Sequence, residues 1–191
     1  MKKHKLLVAI FTICILSVVY FQGISQYSFS KGRALISSFP HYSGDIVYEQ
    51  NFSNHTLVIL KGKQGTYAKL IKSKGKIIFQ VTNGSVLGPL YPDETNLRTW
   101  SANLNSNKRY DTILALKVSD PRIRKVVITN EKINSEKSTD LEEIKKNSNL
   151  FIELNVVNGY AGTFQELDNK NVGDFVFRAI DDKGSIKYLG R

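Results

Sequence analysis

From Asp45 to the end, the chain reads at a period of two. Short apolar and β-branched runs alternate with turn residues, at spacings that suit strands. Ile46-Val47-Tyr48 begins a strand and Ser53-Asn54 suits a turn. Thr56 to Lys61 forms the next run, and Gly62 to Gly65 the next turn. Thr66 to Ile71 rises again, Lys74-Gly75 turns, and Ile77 to Thr82 returns. Asn83-Gly84 is the strongest type of short hairpin signal. The result is a meander of short strands whose lysines sit at strand ends and on one wet face.

The second half continues in kind. Leu87 to Asn96 is a loop marked by Gly88-Pro89 and Tyr91-Pro92. Leu97 to Leu104 carries the only tryptophan, Trp100. Arg109 to Val118 reads as a long strand, and its run Ile113-Leu114-Ala115-Leu116 predicts burial on both faces. Asp120-Pro121 breaks it, and Arg124 to Thr129 is another strand. Phe151 to Val157 and Tyr160 to Glu166 flank a second Asn-Gly pair, Asn158-Gly159. Phe175 to Ile180 and Ser185 to Leu189 form a last hairpin across Asp181 to Gly184.

Two short helices interrupt the strands. Ser30 caps one over Lys31 to Phe39, with Leu35 and Phe39 on one face and Pro40 as its stop. Thr139-x-x-Glu142 is a capping-box pattern for the other. Acidic residues Asp140, Glu142 and Glu143 open it, and Lys145-Lys146 close it, an order that complements the helix dipole.

Before all this stands an apolar run, Leu6 to Phe21, preceded by Lys2, Lys3 and Lys5. Two readings compete. One is an uncleaved transmembrane helix over residues 6–24, with the lysines held inside. The other is a signal peptide cut after Ser25 in Gly23-Ile24-Ser25. The length of the run and the interfacial pair Tyr20-Phe21 favour the anchor. The sequence thus divides into a signal-anchor at 1–25, a juxtamembrane connector at 26–44 and an extracytoplasmic domain at 45–191. The expected fold class is mainly β (α+β): antiparallel meander-type sheets with two short helices, preceded by the transmembrane helix. Cys14 is the only cysteine and lies in the apolar run, so residues 26–191 hold no disulfide.

The formal charge is +10, and +7 without the three N-terminal lysines. From Asn51 to Tyr91 there is no acidic residue, while Lys61, Lys63, Lys69, Lys72, Lys74 and Lys76 all fall there. Such a face attracts anionic lipid headgroups or anionic wall polymer. Nucleic acid is not expected outside a membrane. The same lysines also serve an ordinary solvated sheet.

Motifs for chemistry are absent. His4, His41 and His55 lack the spacing of a metal pair. Asp168 to Gly173 resembles a calcium loop but has Lys170 where an oxygen ligand is needed. Gly62 to Thr66 lacks the glycine spacing of a phosphate loop, and a strand follows where a helix is required. No cofactor, metal or catalytic residue is assigned. Trp100, beside Arg98, is either a binding aromatic or a sheet filler.

SSFPHYSGDIVYEQ, LRTWSANLN, RYDTILALKVSDPRIRKVVITN and the closing VFRAIDDKGSIKYLGR, behind a short apolar segment, resemble a group of small uncharacterised exported proteins of Bacillus-like Gram-positive bacteria. The resemblance implies localisation and a β-rich domain, and carries no catalytic residues. The reading is a single-pass protein with a cytoplasmic N-terminus, whose extracellular domain acts as a binding or interaction module. The alternatives are an exported hydrolase with a non-motif site and an accessory subunit of another membrane protein.

Overall fold

The computed structural model describes residues 2–23, 27–38, 44–89, 94–131 and 138–191. Expectations placed on Phe39, Pro40, His41, Tyr91-Pro92 and the Ile24-Ser25 cleavage site lie outside those residues. Helix α1 spans Lys2–Gly23 and α2 spans Lys31–Ser37, with the two-residue strand β1 (Tyr27–Ser28) between them. Strands β2 (Asp45–Phe52), β3 (His55–Gly62), β4 (Gly65–Lys74) and β5 (Ile78–Leu87) follow. Next come β6 (Leu97–Leu104), β7 (Tyr110–Lys117) and β8 (Ile123–Glu131), then helix α3 (Leu141–Lys146). Strands β9 (Ser148–Asn155), β10 (Tyr160–Leu167), β11 (Phe175–Asp181) and β12 (Ile186–Gly190) complete the chain.

Every strand pairing is antiparallel. Sheet I has the order β1-β5-β4-β3-β2, sheet II β10-β7-β6, and sheet III β12-β11-β8-β9. Alternation along each strand stacks them. On β3 and β4, Leu57, Ile59, Ala68 and Leu70 face sheet II and meet Ile113, Ala115 and Tyr160. The opposite face of sheet I offers Val58, Leu60, Tyr67 and Ile71 to Leu35 of α2. The second face of sheet II, with Leu114, Leu116 and Ala161, packs on Val126, Ile128, Phe175 and Phe177 of sheet III. The layers therefore run α2, sheet I, sheet II, sheet III. Strand β7 lies in the middle, and its Ile113 to Leu116 are buried on both faces as their unbroken apolar run predicts.

The expected mainly antiparallel β architecture is present, but the transmembrane helix is a correction. Among the described residues, no helix is long and apolar enough to cross a membrane. The apolar run Leu6 to Phe21 is 16 residues, about 24 Å at 1.5 Å per residue, against about 30 Å of hydrocarbon. The single-pass topology, with an extracellular domain held by that anchor, is therefore not supported. Cys14 is exposed on this helix.

Three smaller differences are instructive. The 26–44 connector is in part built into the domain. Tyr27 and Ser28 pair with Gln80 and Phe79, and Ala34 and Leu35 are buried. Asn83-Gly84 makes no hairpin and lies inside β5, opposite Leu70 and Lys69. There the Asn83 amide donates to the carbonyls of Ser101 and Asp111, at 3.2 and 3.0 Å, and so joins sheet I to sheet II. A tertiary use of the side chain outweighs the local turn preference. The cap of α3 is Asp140 rather than Thr139: its Oδ1 accepts from the N–H groups of Glu142 and Glu143. Asn158-Gly159 does turn as expected, with both residues at positive φ.

Two glycines test this packing in opposite directions. A Cβ on Gly162 would stand 2.9 Å from Leu57 Cδ2 and 3.3 Å from the Leu114 carbonyl, between two fully buried layers. Gly162→Ala is expected to cost about 1–3 kcal/mol, read as a lower urea midpoint. In α2, Gly32 has open space around it, so Gly32→Ala is expected to add about 0.5–1 kcal/mol.

Candidate functional site

The six lysines do not form one basic face. Lys61 and Lys63 are exposed at the β3–β4 turn, and Lys74 and Lys76 at the β4–β5 turn. These turns are at opposite ends of the 10-residue β4, about 30 Å apart at 3.3 Å per residue. Lys72 is half-buried across from His55. Lys74 lies over the Tyr27 ring, 5.1 Å from its centroid.

Lys69 is fully buried. Its position in the alternation, between Tyr67 and Ile71, turns it under α2. There Nζ donates to Ser38 Oγ at 2.6 Å, Leu35 O at 3.4 Å and Ser38 O at 3.5 Å. These oxygens close the C-terminal turn of α2, where a cation is favoured. Burial lowers the Lys69 pKa from its ordinary value. A serine and a lysine this close are also the parts of a nucleophile and its base. Here the Ser38 hydroxyl is spent on the Leu35 carbonyl at 2.7 Å. The pair fastens α2 to sheet I.

Trp100 is 41% exposed, and its ring meets Phe175 edge-on at 5.3 Å between centroids. It bridges sheets II and III at their rim, so it packs on one side and faces solvent on the other. Arg98 on the same strand is buried, donating to the main-chain oxygen of Arg191 and pairing with Glu94.

Two polar clusters that the sequence did not single out lie deeper. At one end of the sheet I–sheet II interface, His55 opens β3 and is buried, not placed in a turn. Its ring stacks on Phe164 with centroids 4.5 Å apart. Its Nε2 is sealed from solvent with no hydrogen-bond partner among the described residues. Asp111 and Glu166 are opposite each other across β7 and β10, and one amide nitrogen, Asn105 Nδ2, donates to both at 2.9 and 2.6 Å. Asn105 Oδ1 in turn accepts from the N–H groups of Asn107 and Arg109. A histidine beside two carboxylates suggests acid–base work, but these carboxylates are engaged in holding the β6–β7 turn.

The second cluster is on the face of sheet III turned away from sheet II. Arg178 and Glu131 form a bidentate pair there, with side chains 1% and 0% exposed, and Thr129 bonds to both. Among the described residues, no group of three or more His, Cys, Asp or Glu is placed to hold a metal ion.

A groove of about 500 Å³ lies open between the rims of two sheets. Val47, Tyr48, Glu49 and Gln50 of β2 line one wall, and Glu153 to Asn155 of β9, with Val157, line the other. Strands β2 and β9 are the terminal strands of sheets I and III, and β10 is the terminal strand of sheet II. Three strand edges thus meet at one place. Tyr48 reaches across, its hydroxyl donating to the Gly162 carbonyl of β10 at 3.0 Å and lying 2.8 Å from Gln50 Oε1. Burial raises the Tyr48 pKa, so the hydroxyl keeps its proton. In β2 the register shifts between Ile46 and Tyr48, leaving Val47 as a bulge at the groove. None of these residues stood out in the sequence. The Asn158-Gly159 turn located the β9–β10 hairpin but not its neighbours in space.

Comparison with protein-family models, curated proteins and solved structures returns no match, so the functional reading rests on this geometry.

Burial lowers the His55 pKa below its ordinary value, with Lys72 acting in the same direction and Asp111 and Glu166 opposing. The unfolded chain therefore binds this proton more readily. The stability held by the neutral ring is present above about pH 6.5, the unfolded value, and is lost as pH falls through the folded one. His55→Gln is expected to flatten the fall of the urea midpoint between pH 7 and 5. At the other cluster, Glu131→Ala leaves the Arg178 guanidinium buried without its carboxylate and is expected to cost about 3–5 kcal/mol. The Arg178→Met, Glu131→Leu double variant is expected to recover most of that in the same unfolding measurement.

Proposed function

We propose that this protein is a binding module that receives an extended polypeptide in the groove between β2 and β9. The convergence of three terminal strands on that groove carries the reading. A terminal strand keeps one side of its main chain free of ladder hydrogen bonds, and an extended chain is the ligand whose N–H and C=O groups match it. A groove of about 500 Å³ also has the size of ordinary ligand sites. Its walls combine apolar contact from Val47, Leu154 and Val157 with few charges, as strand recognition requires for side-chain pockets.

The polar clusters favour this reading over a hydrolase. In the His55 cluster, His55 and Asp111 are buried, Glu166 is half-buried, and both carboxylates accept from Asn105. A nucleophile open to substrate is not part of either cluster. The polar cavity of about 650 Å³ beside α3 mixes Lys146 and Lys170 with Glu143 and Asp174 and converges on no reacting atom.

The test is a terminally blocked five-residue peptide of alternating Val and Ser, titrated into the full chain and followed by amide chemical shifts and hydrogen exchange. Saturable shifts and slowed exchange confined to residues 47–50 and 153–157 are expected. Val157 is 53% exposed, so Val157→Asp leaves the fold intact and is expected to weaken binding at least fivefold. Absence of binding at millimolar peptide, or shifts elsewhere, overturns the proposal.

A further inference from the structure

Resting on the groove reading above, we infer that the occupant joins sheet III as a new terminal strand beside β9, bonded to the main chain of Glu153 and Asn155, and carries an apolar residue at every second position. The three edges at the groove are not equally open, and the hydrogen bonds already made at each one separate them. On β10 the edge is taken. Tyr160 exchanges both of its main-chain bonds with Val157, at 2.9 and 2.8 Å. The Gly162 carbonyl accepts from the Tyr48 hydroxyl at 3.0 Å, and the Glu166 carbonyl from Arg109 Nη2 at 2.6 Å. These residues share the alternation whose groups point away from β7, so that row has its carbonyls at Tyr160, Gly162 and Glu166 engaged. On β2 the row is broken. Its ladder to β3 shifts register between Ile46 and Tyr48, within the stretch that lines the groove. A bulge of this kind blunts a strand edge.

Strand β9 differs from both. It runs opposite β8 without a shift, from Asn155 facing Lys125 to Phe151 facing Thr129. At its end the Val156 N–H donates to the Arg124 carbonyl at 2.9 Å. Bonding alternates along an antiparallel ladder, so Leu154 and Ile152 also bond to β8, and the N–H and C=O groups of Asn155, Glu153 and Phe151 point away from it. Among the described residues, none bonds to the main chain of Glu153 or Asn155 on that side, and both residues line the groove. Each presents one donor and one acceptor, two residues apart, which the main chain of an extended segment matches.

Sequence enters through the side chains. Along β9, Leu154 packs inward with Leu150, Ile152 and Val156, while Glu153 and Asn155 are exposed on the other face. A strand added beside β9 continues that alternation. Its inward set comes against Leu154, Val47 and Tyr48, partly buried residues at the margins of the two cores. Its outward set lies in solvent. Apolar residues at every second position therefore extend a core that stops short at β9, and the residues between them are unrestricted.

The blocked peptide of alternating Val and Ser, titrated into the full chain, decides the matter residue by residue. At saturation, hydrogen exchange of the Glu153 and Asn155 amides is expected to slow about tenfold or more, while Ile152, Leu154 and Val156, already bonded to β8, change by less than about threefold. N-methylation separates the two edges of the peptide. Methyl groups on one alternating set of its amides are expected to weaken binding about tenfold, and on the other set about twofold or less. An all-Ser peptide is expected to bind about fivefold more weakly. Protection at residues 47–50 in place of Glu153 and Asn155, or equal loss from both methylated sets, overturns pairing with β9 and leaves the groove reading standing. Equal affinity of the all-Ser peptide overturns the apolar pattern. No binding by any peptide removes the groove reading itself. A concentration-dependent dimer in sedimentation, with Glu153 and Asn155 protected in the absence of peptide, identifies a second copy and overturns the separate partner.

Discussion

The structure depends on the burial of β7 on both faces. Ile113 and Ala115 face sheet I, Leu114 and Leu116 face sheet III, and each is 1% exposed or less. One strand therefore nucleates two apolar layers. Sheets I and III never need to touch, because sheet II carries the core of each. Gly162, opposite Ala115 on β10, shows how close the layers come, with room for no side chain beneath Leu57.

Stacking three sheets sets the polar groups. A polar side chain between layers must find its partners within the protein, because water does not reach it. Asn83 answers by donating from sheet I to carbonyls of sheet II. Lys69 spends its donors on the end of α2, and Arg178 on Glu131 and Thr129. Groups that would form a reactive site in an open cleft here act as fasteners between elements. The stacking also leaves terminal strands at its rim, and the groove follows from that, since β2, β9 and β10 end three different sheets at one place.

Much of the fold was legible in the residues. Turn chemistry located Ser53-Asn54, Gly62 to Gly65, Lys74-Gly75 and Asn158-Gly159, and period-two runs located the strands between them. The apolar run in β7 announced its double burial. The candidate site was not legible, because strand order is a property of distant pairings. Val47 and Leu154 are ordinary strand residues until β2 and β9 are known to line one groove. The lysines misled for the same reason: close in sequence, they are divided between two ends and two faces of sheet I.

Local chemistry by itself determined which segments are strands, where most of them turn, and that the domain is antiparallel. Propensity and alternation act over a few residues and need no partner. Only the tertiary structure decided that Asn83-Gly84 extends β5, that Lys69 is interior, and that three edges share one groove. Each of those outcomes depends on what lies across the interface or at the far end of an element. A local pattern cannot supply that, because the competing free energies, an amide bonded across a layer or an ammonium under a helix end, arise only when the layers meet.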